Sequence, residues 1–191
     1  MGRVRAAAMA LAVLPALASA QDKKPAAAPP EMVVETDAGS FVIRLRPDLA
    51  PAHVAHFVKT ARAGGYDHTT FHRIIAGGII QGGDPLSKDV QKAKLYGTGG
   101  LGLLKAEFSQ ADFARGVVAA ARRPSGPDTG GSQFFVVLRE QPSLKGKYTI
   151  FGEVVEGMDV ADKISLTPVE GDRPLSRVEI RSVTPRPPSG P

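Results

Sequence analysis

The chain has 191 residues, 24 Lys+Arg against 19 Asp+Glu, a formal charge of +5 and 42% hydrophobic residues, the composition of one globular domain with a buried core. It contains no cysteine, which excludes disulfides, thiol nucleophiles, Cys-ligated zinc and cysteine-linked lipid anchors. Its chemistry therefore rests on His, Arg, Gln, carboxylates and the backbone.

The first twenty residues read as an export signal. Arg3 and Arg5 precede an apolar stretch, 6–18, too short to cross a bilayer core of about 30 Å, and Ala18-Ser19-Ala20 has the small-x-small pattern of a cleavage site. The mature chain then starts at Gln21 in the periplasm or outside the cell, makes no stable membrane insertion, and carries +3 once two arginines are subtracted from +5. Its scattered Lys and Arg form no stripe suited to nucleic acid. Residues 21–31 are an Ala/Pro/Lys-rich linker, and 184–191, with four prolines, a poorly ordered tail. The domain expected between them, 32–183, holds 19 of the 21 glycines, a sign of many tight turns.

Within that domain the hydrophobic period is mostly two. Met32 to Thr36 and Phe41 to Arg46 flank Asp37-Ala38-Gly39-Ser40, and Phe41, Ile43 and Leu45 alternate with Val42, Arg44 and Arg46, predicting a hairpin with one buried face. A helix follows: Pro51 suits its first turn, Val54, Phe57, Val58 and Ala61 share a face, and Gly64 ends it. Further strands are predicted at 71–75, 79–81, 116–121, 133–138, 148–155 and 178–183, and a second short helix around Met158, Ala161 and Ile164. Many short strands with two helices predict a mainly β fold, a closed or nearly closed antiparallel barrel with helices over its ends.

Several motifs fail on context. Gly97-Thr98-Gly99-Gly100-Leu101-Gly102 satisfies GxGxxG but follows a polar stretch instead of a hydrophobic strand. His53 and His56 have metal-ligand spacing, yet are expected to face solvent, and with His68 and His72 lack a third ligand at defined spacing, so no metal site is predicted. Ser132 follows Gly130-Gly131, but Phe134 stands where a nucleophile elbow needs glycine.

The specific signal lies in three separated segments. Phe71-His72-Arg73-Ile74-Ile75-Ala76-Gly77-Gly78-Ile79-Ile80-Gln81-Gly82-Gly83-Asp84-Pro85 resembles the signature of the cyclophilins, the peptidyl-prolyl cis/trans isomerases. Gly131-Ser132-Gln133-Phe134-Phe135 and Gly146-Lys147-Tyr148-Thr149-Ile150-Phe151-Gly152 match in the same order and spacing, so the resemblance spans 32–183. It implies a closed eight-stranded antiparallel β-barrel capped by two α-helices, an isomerase acting on proline-containing polypeptides during folding of exported proteins, and no metal or cofactor. A monomer is expected.

The resemblance also implies roles. Arg73 matches the catalytic arginine, and Gln81, on the same face as Ile79, the residue that holds it. Phe135 matches the floor of the proline pocket, with Ile79 and Leu144 as walls, although by pattern alone these three read equally as core. Phe71, His72, Ala121, Gln133 and Tyr148 complete the expected groove. The chain departs from the family at Gly78, where a pocket Phe is usual, at Ser143, where many members have Trp, and at Tyr148, where they often have His. The missing Phe leaves a second reading open, a non-catalytic proline-peptide binding module or chaperone with the same fold.

Overall fold

The hairpin predicted by the alternation forms as β1 (Glu31–Thr36) and β2 (Gly39–Leu45), with Thr36 paired to Gly39 across the two-residue loop Asp37-Ala38. The structure, a computed structural model, describes Gly2 and residues 29–187. Apart from Gly2, the expected export signal lies outside the described residues, as do 21–28 of the linker and 188–191 of the tail.

The remaining elements are α1 (Pro51–Arg62), β3 (Thr69–Thr70), β4 (Arg73–Ile75), β5 (Ile79–Gly82), β6 (Val117–Ala120), β7 (Phe134–Val137), β8 (Ile150–Glu156), α2 (Met158–Ser165), β9 (Val169–Glu170), β10 (Arg173–Pro174) and β11 (Glu179–Pro185). Among the described residues nine strands form one antiparallel sheet in the order β3-β11-β1-β2-β8-β6-β7-β5-β4, and β9 and β10 pair separately. The count corrects the expected eight. The strand predicted at 71–75 begins only at Arg73, and a short strand that was not predicted precedes it: β3 pairs with β11, β4 pairs with β5, and Phe71-His72 runs between them. The backbone N–H of Phe71 donates to the Val178 carbonyl (3.0 Å) and that of His72 to the Gln81 carbonyl (3.0 Å), so the two edges of the curled sheet meet at this break.

Alternation along the strands divides the molecule into two cores. Ile74, Ile80, Val136 and Val118 lie in one register row across β4, β5, β7 and β6 and belong to the main core inside the curl. There Phe57 of α1 meets Tyr66, Phe151 and Phe134 at ring-centroid distances of 4.9, 5.1 and 5.7 Å. The residues one step along each strand point outward, onto a smaller cluster of Phe113, Ala119, Ala121, Phe135, Val137 and Ile150. Burial of a large apolar side chain contributes about 1.5–3 kcal/mol, so the inner row fixes the register that aligns the outer one.

Two boundaries and one exposure differ from expectation. β1 begins at Glu31 and β11 continues to Pro185, beyond the edges set at 32 and 183, and Arg186 pairs with Glu31 (3.1 Å) and Glu156 (2.6 Å). His53, expected at the surface, is buried. It stands four residues before Phe57 and so shares that face, and Glu107 covers it from the long connection between β5 and β6. The Glu107 carboxylate accepts from the backbone N–H of Ala52 and of His53 (both 3.0 Å) and from His53 Nδ1 (2.6 Å), capping α1 in place of the absent side-chain cap at Ala50.

Candidate functional site

The outward row contains the expected chemistry. Arg73 on β4 pairs in register with Gln81 on β5, Gln81 with Phe135 on β7, and Phe135 with Ala119 on β6. Paired residues of an antiparallel sheet project to the same side, so guanidinium, amide and phenyl ring stand side by side on the outer wall of the barrel. They line an open cleft of about 670 Å³.

The apolar half of the cleft is built from stacked rings. Phe135 lies against Phe113 (6.4 Å, interplanar 17°) and meets Tyr148 edge-on (5.4 Å, 89°), and Arg122 sits over the Tyr148 ring at 4.8 Å. Ile79 and Leu144 pack on the same cluster. The result is a shallow slot with an aromatic floor and aliphatic sides.

The polar half is a chain of hydrogen bonds that begins at a fully buried carboxylate. Asp84 accepts from the backbone N–H groups of Leu86, Gly97 and Gly99, and from Gln133 Nε2 at 3.4 Å. Gln133 Nε2 also donates to the Gly99 carbonyl (2.7 Å), and its Oε1 accepts from Gln81 Nε2 (3.0 Å). Gln81 Oε1 in turn accepts from Arg73 Nη1 (3.4 Å). The glycine run dismissed as a dinucleotide motif thus wraps Asp84, and a side chain at Gly99 would overlap its carboxylate. Ser132, dismissed as a nucleophile, is buried and donates to the Gly83 carbonyl (2.9 Å), tying the same loop to β5.

Arg73 is gripped from its other side by Asp172, whose Oδ2 accepts from Nε at 2.7 Å. The Asp172 carbonyl also accepts the Ile74 backbone N–H (2.8 Å), which fixes the carboxylate beside β4. Nη2 of Arg73 has no partner among the described residues. A guanidinium held at Nε and Nη1 offers its remaining N–H groups in a defined direction.

Of the predicted site residues, Arg73, Gln81, His72, Ile79, Ala121, Phe135, Leu144 and Tyr148 line the cleft. Phe71 and Gln133 do not. The break between β3 and β4 reverses the alternation, so Phe71 turns into the main core beside Phe41 and Phe134, while His72 turns toward the cleft. Burial pushes the His72 imidazole below its usual pKa and favours the neutral ring. Gln133 is fully buried and supports Gln81 from behind. Asp172 escaped the sequence reading: it lies 99 residues from Arg73, and a Gly-Asp turn carries no sign of its partner.

The family model described as cyclophilin type peptidyl-prolyl cis-trans isomerase/CLD matches residues 31–185. The chain belongs to this family. A probable peptidyl-prolyl cis-trans isomerase of Brucella suis is 42% identical over 164 residues, covering 82% of this chain and 83% of that one. A peptidyl-prolyl cis-trans isomerase of Arabidopsis thaliana is 36% identical over 158 residues, covering 82% and 94%. The crystal structure of a Cryptosporidium parvum cyclophilin type peptidyl-prolyl cis-trans isomerase, in the presence of the dipeptide Ala-Pro, superposes with a TM-score of 0.74 at 27% identity, over 82% of this chain and 99% of that one. The chain has the cyclophilin fold and is a peptidyl-prolyl cis-trans isomerase by family.

Proposed function

We propose that this cyclophilin isomerises X-Pro bonds of exported polypeptides, holding the proline ring on Phe135 and donating from Arg73 to the amide nitrogen as it twists. The planar amide resists rotation by about 18–20 kcal/mol because the nitrogen lone pair is shared with the carbonyl. At the twisted geometry that lone pair is localised on nitrogen and accepts a hydrogen bond that the planar form does not. A donor fixed there stabilises the twisted state selectively, which is the condition for acceleration, and no bond needs to break.

Ile79, Leu144 and Tyr148 bound the slot around Phe135 and keep the ring still while the carbonyl side rotates. Gln81 and Asp172 fix the guanidinium before substrate arrives, so little ordering remains to be done at the moment of twisting. Ala121 and Arg122, just after β6, line the cleft beside the slot, where an extended peptide would run. The observation that carries the reading is the register row Arg73–Gln81–Phe135, which puts donor and apolar slot on one face. The Ala-Pro dipeptide of the Cryptosporidium relative has the ring that this slot would take.

Export rests on residues 1–20, and with it periplasmic or secreted location of a monomeric mature chain beginning at Gln21. The experiment measures two things: cis-to-trans turnover of an Ala-Pro peptide by the purified mature chain, and partition of the full-length chain between cytoplasmic and exported fractions. Turnover with the processed chain outside the cytoplasm is expected. Binding without turnover would favour a proline-peptide binding module, and an unprocessed cytoplasmic chain would remove the exported clients.

A further inference from the structure

The cleft carries more positive charge than proline isomerisation uses. Four arginines line it, Arg73, Arg122, Arg139 and Arg173, against one carboxylate, Asp172. That carboxylate is engaged by Arg73. Three guanidinium groups are left without an acidic partner among the described residues.

Each sits on a different strand end around the slot. Arg122 follows β6 and is held in place: Nε donates to the Lys147 carbonyl (3.0 Å), Nη1 to the Arg123 carbonyl (3.3 Å), and its plane caps the Tyr148 ring. Arg139 follows β7 in the outward phase of Phe135 and Val137, and the neighbouring Leu138 N–H donates to the Gly78 carbonyl (2.8 Å). It therefore stands beside the stretch of wall that Gly78 leaves without a side chain. Arg173 lies on β10, next to Asp172. The side chains of Arg139 and Arg173 make no hydrogen bond or ion pair among the described residues, and Glu140, adjacent to Arg139, does not line the cleft.

Like charges along a concave wall focus the local potential, and a planar guanidinium with free N–H groups matches a carboxylate. A proline seated on Phe135 carries its neighbouring residues past these groups. We propose that the cleft selects prolyl segments whose flanking residues bear carboxylates, within a residue or two of the proline, over neutral and basic ones. The proposal rests on the isomerase reading above and names its substrate class.

The test is turnover of three peptides identical except for the residues on either side of an Ala-Pro unit, which are Glu, Ala or Lys, followed by NMR exchange with the mature chain. At low salt kcat/KM for the Glu peptide is expected to exceed that for the Ala peptide by about three- to tenfold and that for the Lys peptide by more, a spread that shrinks at about 0.5 M salt as screening shortens to a few Å. The double variant Arg139→Glu, Arg173→Glu, altering two exposed side chains with no bonds to lose, is expected to bring the Glu-to-Lys ratio to one or below. Equal wild-type turnover of all three peptides, or a preference that survives charge reversal, overturns the proposal and leaves the isomerase reading standing. No turnover of any peptide overturns both.

Discussion

Glu107→Ala removes the side chain that ties the connection between β5 and β6 to the N-terminus of α1. Its carboxylate closes the N-terminus of α1 through Ala52 N and His53 N and pairs with His53 Nδ1. The same connection, further on, supplies Phe113, the ring stacked beneath Phe135. Water can replace Glu107 at the exposed Ala52 N–H, but the His53 side chain is only 3% exposed and would keep an unpartnered ring nitrogen. A lost cap costs about 0.5–2 kcal/mol and a stranded buried polar group about 1–3, which together suggest a loss of about 2–3 kcal/mol. For a domain of this size that lowers Tm by roughly 4–12 °C.

The effect depends on pH in a defined sense. Burial by itself raises the Glu107 carboxyl pKa, but the hydrogen bonds from His53 and the two backbone N–H groups outweigh it and hold it below the ordinary glutamate value. A carboxyl with a depressed folded pKa contributes stability above its unfolded pKa, near 4.3, and loses it as pH falls through the folded value. Urea unfolding of both proteins at pH 7 and at successive points below pH 4.5 measures this directly. The gap between wild type and Glu107→Ala should be widest at pH 7 and narrow on acidification. A gap under about 0.5 kcal/mol at pH 7, or one unchanged by acid, would refute the reasoning.

Gly78→Phe restores an apolar wall. A Cβ there meets Ile75 Cγ2 at 3.0 Å and the Ile75 carbonyl oxygen at 3.3 Å, so the exposed Ile75 side chain must yield and the turn shift by a few tenths of an ångström; with that made, proline-peptide Kd should tighten about three- to tenfold by titration. Asp172→Ala frees one side of Arg73, and because this ion pair is half-exposed the expected loss is about two- to fivefold in kcat/KM with Kd nearly unchanged. Gly131→Ala would drive a methyl group into the Gly100 carbonyl and unseat the loop around Asp84, so thermal unfolding should show a loss of more than about 2 kcal/mol.

Much of this was legible because strands with one inner and one outer face write period two into the chain. The alternation at 41–45 predicts the hairpin, and the chain order of Arg73, Gln81 and Phe135 within recognisable segments places the site. What period two cannot carry is its own interruption. A single break at Phe71-His72 turns Phe71 inward and His72 outward, separates the unpredicted β3 from β4 and changes the strand count. The burial of His53 was legible in its i, i+4 relation to Phe57, whereas its partner Glu107, 54 residues on, was not, and Asp172 was missed because a turn between two very short strands reveals its partner only after folding. The cleft arginines likewise come from four separate strand ends.

The account depends most on Arg73 acting at the twisted amide and not in binding. The direct measurement is kcat for X-Pro exchange by Arg73→Ala at saturating peptide, beside Kd for the same peptide. Loss of a well-placed transition-state donor typically costs about 10²–10³ in kcat, so a fall of that order is predicted, with Kd changed less than about threefold. A Kd that weakens as much as kcat falls, or a kcat near that of wild type, would contradict it.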